Sequence, residues 1–281
     1  MSKTFADVKC EDCDYVGKGN IEVEAEDTTR YSCMICGSYN VKNVTIWKKV
    51  EENETSLSNK TMLIVGASGA IGQGLVEHYK GKVKKLYGTY FQNKPTDDSS
   101  VEYYGYAVSG NQLPENTWAY IDIIIYVSGI TENAMMHKMS WVKWQRAMSI
   151  NLGGAFTATG RALSYMRTKR YGRIIFISSI LEKISVPGTA AYTVSKAGLS
   201  ALARVIAVEN ATKGITANSI TLGYLNTGII RDVPERYLNE TVIPSIPQKK
   251  LGTIADVTLA TDYLIAADYV TGTSLNVSGG L

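Results

Sequence analysis

The chain has 281 residues, 45% hydrophobic and 20% charged, with 29 lysines and arginines against 26 aspartates and glutamates for a net charge of +3. That length allows one sizeable core and a smaller unit. So slight a charge argues against nucleic acid or a membrane surface as a partner, and no apolar run reaches the ~20 residues needed to cross a bilayer. The opening Met1-Ser2-Lys3-Thr4-Phe5-Ala6-Asp7 lacks the apolar stretch of a secretory signal, which predicts a cytoplasmic protein.

The four cysteines all precede Gly37, as Cys10-x-x-Cys13 and Cys33-x-x-Cys36. Two such pairs about twenty residues apart have the spacing of a four-thiolate zinc ribbon. Glycines follow the pairs (Gly17 and Gly37), and Ile21–Glu26 and Val41–Trp47 alternate with the period of strands. A segment of roughly fifty residues is too small to rely on a hydrophobic core, so a metal staple is physically reasonable. Tetrathiolate iron and disulfides are the alternatives, and a reducing cytosol disfavours the second. A redox role is disfavoured because neither pair sits at a thioredoxin-like strand–helix junction. Glu51 to Asn59 is polar, acidic and without period, and reads as a linker. The expected organisation is a zinc-ribbon-like β module over 1–50, a linker over 51–59 and a catalytic domain over 60–281.

The larger segment begins with the apolar run Thr61-Met62-Leu63-Ile64-Val65, followed by Gly66-Ala67-Ser68-Gly69-Ala70-Ile71-Gly72-Gln73-Gly74 and then a helical pattern through Leu75, Val76 and Tyr79. Glycine lets a backbone approach a pyrophosphate closely, and the helix N-terminus offers free amide donors and the positive end of its dipole. Ile121–Val127 and Arg173–Ile177 are continuous apolar runs, as in a parallel sheet covered on both faces. Between them, Trp141 to Arg167 has helical spacing. A further helix carries Tyr192 and continues through Leu199, Leu202, Val205 and Ile206, and Gly214–Ile220 reads as another strand. Strand and helix alternating in this way predict an open, doubly wound α/β sheet with its site at the carboxyl ends of the strands.

Tyr192 and Lys196, four residues apart, lie on one face of one helix. An ammonium beside a phenol favours the phenolate and lowers a pKa that is ordinarily ~10, which makes the tyrosine a usable acid or base near neutrality. Ser179, at the end of the preceding strand, can donate a hydrogen bond to the same reacting oxygen. His78 and His137 stand far from any ligand spacing and read as ordinary surface or packing residues.

These motifs make residues 61–281 resemble a short-chain dehydrogenase/reductase with a Rossmann-type fold. The resemblance rests on the glycine loop, Asn151-Leu152-Gly153-Gly154-Ala155-Phe156, Ser179, the Tyr192/Lys196 pair, Leu222-Gly223-Tyr224-Leu225-Asn226-Thr227 and the final Asn276-Val277-Ser278-Gly279-Gly280-Leu281. Ser128-Gly129-Ile130-Thr131, Met139, Trp144 and Ile246–Gly252 are most similar to the 3-oxoacyl-(acyl-carrier-protein) reductases. The resemblance implies a NAD(P)H-dependent reductase of a ketone such as a 3-oxoacyl thioester, with Asn151, Ser179, Tyr192 and Lys196 as the catalytic set. Lys196 would also hold the ribose hydroxyls, with Tyr192 a further cofactor contact; Asn151 would support a water relay behind Lys196, and Thr227 would hold the carboxamide. Gly66, Ser68, Gly69, Ala70, Ile71, Gly72, Tyr90, Lys94, Ser128, Gly129, Gly223 and Leu225 complete the implied cofactor site. The family commonly forms tetramers, so a homo-oligomer (tetramer or dimer) is expected.

Several positions depart from the family pattern. Ala70 replaces the middle glycine, Val65 the threonine before the loop, and Leu222 the proline of a Pro-Gly turn. Tyr126-Val127-Ser128-Gly129 stands where Asn-Asn-Ala-Gly is expected, and the acid after the third strand is missing near Ala107-Val108. All of these fall on cofactor-positioning backbone. After the second strand, Gly88-Thr89-Tyr90-Phe91-Gln92-Asn93-Lys94 holds no carboxylate to bind a ribose 2′-hydroxyl, and Lys94 with Asn93 could contact a 2′-phosphate, which favours NADP(H) over NAD(H). Residues from about Gly228 to Gln248 would form a substrate lid with Ile229, Ile230, Tyr237, Leu238, Val242 and Ile243 as apolar lining. The competing class is a non-catalytic scaffold that keeps the fold and recruits a partner through the ribbon.

Overall fold

A computed structural model describes the backbone of residues 5–10, 16–24, 28–33, 41–46, 56–107, 110–111 and 113–281, and side chains from residue 56 onward except 106–112, 229 and 232. The chain divides into two units, Met1–Ser56 and Leu57–Leu281. The first contains a four-stranded sheet of β1 (Phe5–Cys10), β2 (Val16–Glu24), β3 (Thr28–Cys33) and β4 (Val41–Ile46) in the order β3-β2-β1-β4. Both neighbours of β2 run antiparallel to it, so β1 and β3 end at the same end of the sheet. Cys10 and Cys33 are the last residues of those two strands. Cys13 and Cys36, and the side chains of Cys10 and Cys33, lie outside the described residues.

The second unit is built on an eight-stranded sheet ordered β12-β11-β10-β9-β5-β6-β7-β8. Its strands are β5 (Thr61–Val65), β6 (Lys85–Tyr90), β7 (Val101–Ala107), β8 (Gly110–Asn111), β9 (Ile123–Tyr126), β10 (Gly172–Ser179), β11 (Ile215–Leu222) and β12 (Ser274–Val277). Seven are parallel, and only the two-residue β8 runs antiparallel, on the edge. The sequence order of the strands reverses between β5 and β9, which opens a crevice beyond their carboxyl ends.

Strand periodicity assigns the two faces. Leu63, Val65, Ile124, Tyr126, Ile174 and Phe176 face one core, packed under α3 (Gly154–Lys169) and α4 (Ala190–Asn210) through Ala155, Ala158, Ala162, Leu199 and Ala203. Met62, Ile64, Ile123, Ile125, Ile175 and Ile177 face the other core, under α1 (Ala70–Tyr79) and the C-terminal helix through Leu75, Tyr79, Val257 and Leu264. Alanines where α3 and α4 meet the sheet let those helices lie close to it, and α4 carries Tyr192 and Lys196.

The single helix expected over Trp141–Arg167 is instead α2 (Trp141–Met148) and α3, separated by one wide π turn, Ser149–Gly153. The interruption has a tertiary cause. Tyr126 on β9 donates its hydroxyl hydrogen to the Ile150 carbonyl, inserting a side chain into the helical ladder. A Cβ at Gly154 would lie 2.2 Å from that same hydroxyl, so only glycine fits where α3 begins. The lid region folds as a 3-10 turn (Gly228–Asp232), α5 (Glu235–Tyr237), a π turn (Leu238–Val242) and α6 (Ile243–Ser245). There Val242 and Ile246 are buried, while Tyr237 is exposed. The C-terminal helix, α7 (Ile254–Ala266), starts from a capping box in which Thr253 and Asp256 satisfy each other's end of the helix. Among the described residues no helix is long and apolar enough to cross a membrane.

Candidate active site

The turn after β5 is a cradle defined by missing side chains. Gly66 has φ +95°, and a Cβ there would come within 2.6 Å of Ser128 Oγ and 2.7 Å of its backbone nitrogen. A Cβ on Gly72 would sit 2.2 Å from the Gly66 carbonyl oxygen. The turn is pinned from β6, since Gly66 N–H donates to Thr89 Oγ1 (3.0 Å) and Ala67 N–H to the Thr89 carbonyl (2.7 Å). Ser128 N–H donates to the Val65 carbonyl (2.9 Å), which brings the loop after β9 alongside. Between them lies a cavity of about 220 Å³ lined by Gly66, Ser68, Gly69, Phe91, Ser128 and Gly129, with Tyr126, Val127, Ile130 and Ile150. Five of the residues expected at the cofactor line it; Phe91 and Ile150, not anticipated, supply apolar walls. The glycine cradle at the start of a helix fits the pyrophosphate of a dinucleotide.

The remaining expected contacts stand around this cavity rather than in its lining. Ala70, Ile71 and Gly72 open α1, and Gly228 approaches Ala70, its Cβ position 3.8 Å from that side chain. Gly223 donates to the Val277 carbonyl (2.9 Å), Leu225 is buried, and Thr227 N–H donates to the Leu225 carbonyl (2.7 Å). Tyr90 ends β6. Lys94 is engaged by Asp97 at 2.6 Å, but both side chains are well exposed, and such a surface pair holds a cation only weakly.

On the far side of Gly129 the groups expected to handle the proton converge. Lys196 is 3% exposed, and its ammonium donates to the Ile177 carbonyl at 2.8 Å. A Cβ at Gly129 would lie 3.1 Å from Lys196 Nζ and 3.5 Å from Asn151 Oδ1, so the glycine leaves the lysine its space. Asn151 is fully buried in the π turn. Its amide nitrogen donates to the Ile130 carbonyl (3.0 Å) and to Ser195 Oγ (2.9 Å), while Oδ1 accepts from Ile130 N–H (2.8 Å). Both amide hydrogens are thereby committed to clamping the loop after β9, so any part in a relay falls to the main chain or to the remaining lone pair of Oδ1. Ser179 ends β10, and its oxygen accepts from Leu181 N–H (3.3 Å), a contact that does not use its hydroxyl hydrogen.

The electrostatics differ from the simple lysine–tyrosine picture. Burial pushes the Tyr192 phenol up, and the hydrogen bond with Ser179 is what pulls it back. Burial draws the Lys196 ammonium down to about 8, opposed by the negative charge of Glu182. Lys196 Nζ lies 5.7 Å from the centre of the Tyr192 ring and spends its nearest contact on a backbone carbonyl. Glu182 is therefore a participant that motif spacing alone does not reveal; the one signal is a lone carboxylate between a buried strand and a Pro-Gly turn. Among the described residues there is no cluster of three or more histidines, cysteines, aspartates or glutamates placed to hold a metal.

A glycine-rich strand-to-helix turn at the reversal of strand order, beside a buried lysine and the tyrosine one turn before it, defines a dinucleotide-dependent oxidoreductase. Comparison with known proteins narrows this. The sequence model of the family described as Enoyl-(Acyl carrier protein) reductase matches residues 112–281. The chain is 34% identical to an acetoacetyl-CoA reductase of Rhizobium meliloti (strain 1021), covering 79% of this chain and 98% of that one. It is 32% identical to the 3-oxoacyl-[acyl-carrier-protein] reductase FabG of Rickettsia prowazekii (strain Madrid E), covering 80% and 98%. A 3-oxoacyl-[acyl-carrier protein] reductase structure from Brucella melitensis ATCC 23457 shares the fold at 18% identity, with a TM-score of 0.70 over 84% of this chain and 98% of that one. The chain belongs to the short-chain dehydrogenase/reductase family and is a NAD(P)-dependent oxidoreductase.

Proposed function

We propose that this enzyme reduces the 3-oxo group of a short acyl thioester, carried on coenzyme A or a carrier protein, to the secondary alcohol. The observation that carries this reading is the convergence of Lys196 and Asn151 on Gly129, with the Tyr192 ring centre 5.7 Å from the Lys196 ammonium, in a chain similar to acetoacetyl-CoA and 3-oxoacyl thioester reductases along almost their whole length. The cofactor, NADP(H) in preference to NAD(H), supplies hydride when bound. Gly66, Ser68, Gly69, Ser128 and Gly129 would hold it, and Lys94 would meet a 2′-phosphate. Tyr192 gives its phenolic proton to the oxygen that develops negative charge. Ser179 donates a hydrogen bond to that oxygen, an interaction strongest when the charge is greatest. Lys196, its ammonium held on the Ile177 carbonyl, supplies positive charge to the site as negative charge develops there, and Asn151 fixes the loop that bounds the site. NADPH oxidation with acetoacetyl-CoA tests the assignment: turnover is expected, faster than with NADH. A folded protein that binds NADPH and turns over neither this thioester nor simple ketones would contradict it, in favour of the scaffold reading.

We further propose that Cys10, Cys13, Cys33 and Cys36 hold a structural zinc ion, and that the enzyme works as a homo-oligomer. In support of zinc, β1 and β3 end at the same end of their sheet, so both Cys-x-x-Cys segments start from one edge of the module. Four thiolates leave no open coordination position, so the metal takes no part in hydride transfer. Elemental analysis should find one zinc per chain, lost in Cys33→Ser. A protein beginning near Asn59 should keep reductase activity on acetoacetyl-CoA, and its loss from a folded, NADPH-binding protein would place the ribbon in the active site.

A further inference from the structure

Glu182 lies in the turn after β10, and its carboxylate collects hydroxyl groups from three separate elements. Ser178 of β10 donates to Oε2 at 2.7 Å, Ser200 of α4 to Oε2 at 2.6 Å, and Thr221 of β11 to Oε1 at 2.8 Å. The network continues inward: Ser200 Oγ lies 2.9 Å from Ser219 Oγ, which donates to Ser274 Oγ of β12 at 2.9 Å. Ser178 Oγ also lies 3.0 Å from the backbone carbonyl of Lys196. A parallel sheet under a helix is ordinarily apolar at this layer. Here Ser178, Ser200, Ser219 and Thr221 are all buried, and hydroxyls buried this way are costly unless each finds a partner.

We propose that Glu182 is a positioning residue for the reaction: its carboxylate ties the helix that carries Tyr192 and Lys196 to the ends of β10 and β11, and its charge keeps the buried Lys196 ammonium protonated. The inference rests on the proposed roles of Tyr192 and Lys196. The surroundings of the ammonium single Glu182 out. β10 brings the Ile177 carbonyl to 2.8 Å, and the loop after β9 and the π turn bring Gly129 and Asn151, none of which ionises near neutrality. Tyr126 of β9 is occupied by the Ile150 carbonyl. On α2, Arg146 is paired with Glu132 at 2.8 Å, and Lys143 is exposed. Lys183, next to Glu182, turns outward to Asn276 Oδ1 at 2.6 Å. Tyr192 shares the lysine's own helix. Glu182 is thus the one carboxylate among these groups that is left to balance the ammonium, consistent with its upward pull on that group.

The test is the pH profile of kcat/KM for acetoacetyl-CoA reduction by NADPH in the full-length enzyme. Reduction requires the ammonium form of Lys196, so activity falls on the alkaline side as that group loses its proton. Removing the opposing charge makes the proton easier to lose. Glu182→Gln should therefore move the alkaline limb to lower pH by roughly one unit, while the rate well below the limb falls far less. Should the amide not fold, Glu182→Leu combined with Thr221→Val removes the charge together with the hydroxyl that depends on it alone; Ser178 keeps the Lys196 carbonyl and Ser200 keeps Ser219. The same displacement is expected. An unmoved limb, or an equal loss at every pH, would overturn the proposal by showing a purely mechanical role. Tyr192→Phe, run alongside, separates the two readings. If it retains activity, the proton-donor assignment fails first; if it is inactive and the limb stays unmoved, the role of Glu182 alone fails.

Discussion

The two sides of Gly129 are held by different physics. On the cofactor side, the cavity is made by what is missing: Gly66 and Gly72 are required because a Cβ would strike backbone, and the one cation, Lys94, stands in solvent beside Asp97. On the proton side, Asn151 and Lys196 are buried and bonded in fixed directions. The departures from the family pattern (Ala70, Val65, Ser128, Leu222) all fall on the first side. A surface defined by shape tolerates exchange wherever backbone clearance survives. A surface defined by buried charge does not, because each unpaired group costs its full desolvation.

Substitutions on either side should break along that line. The largest effect is expected from Lys196→Met, which removes the buried ammonium and should lower kcat by roughly 10²–10⁴, the range of a positioned acid–base group, with NADPH still bound as measured by fluorescence titration. Next, Gly66→Ala places a Cβ within 2.8 Å of three Ser128 atoms at a φ that only glycine adopts freely. It should cost roughly 1–3 kcal/mol of stability and raise KM for NADPH more than it lowers kcat, as read by thermal melting and steady-state rates. A pH dependence comes third. With the Lys196 ammonium drawn down by burial to about 8, it is charged below that pH and neutral above, so ketone reduction should hold steady on the acid side and decline as pH rises through about 8. The smallest effect belongs to the exposed loop. Lys94→Ala should weaken kcat/KM for NADPH by roughly tenfold or less, since an exposed ion contact is worth ~1 kcal/mol, and leave NADH unchanged; equal losses with both cofactors would remove Lys94 from 2′-phosphate recognition.

Much of the cofactor side could be read from the sequence, because its determinants are local. The apolar run Thr61–Val65 and the spaced glycines after it announce strand, turn and helix, and β5 and α1 lie where they indicate. Tyr192 and Lys196 were also legible, through helical spacing on α4. The π turn was not, since nothing in Trp141–Arg167 breaks helical periodicity; its cause is Tyr126, at a distance in sequence, reaching the Ile150 carbonyl. Glu182 was hidden for the same reason: its three hydroxyl partners come from positions 178, 200 and 221, which no short motif connects. Helical spacing alone predicts the opposite sign for the Tyr192 shift. Four residues along a helix bring the two side chains to one face, but the lysine turns its charge to the Ile177 carbonyl and burial dominates the phenol.

The most direct measurement is single-turnover reduction of acetoacetyl-CoA by enzyme-bound NADPH in the wild type and in Tyr192→Phe. The substitution removes only the hydroxyl proposed to carry the proton and leaves the ring in its packing place. A rate lower by roughly 10²–10⁴, with an unchanged dissociation constant for NADPH, is the predicted result. A rate within a few-fold of wild type would show that the proton comes from elsewhere, and the account of this site would fail.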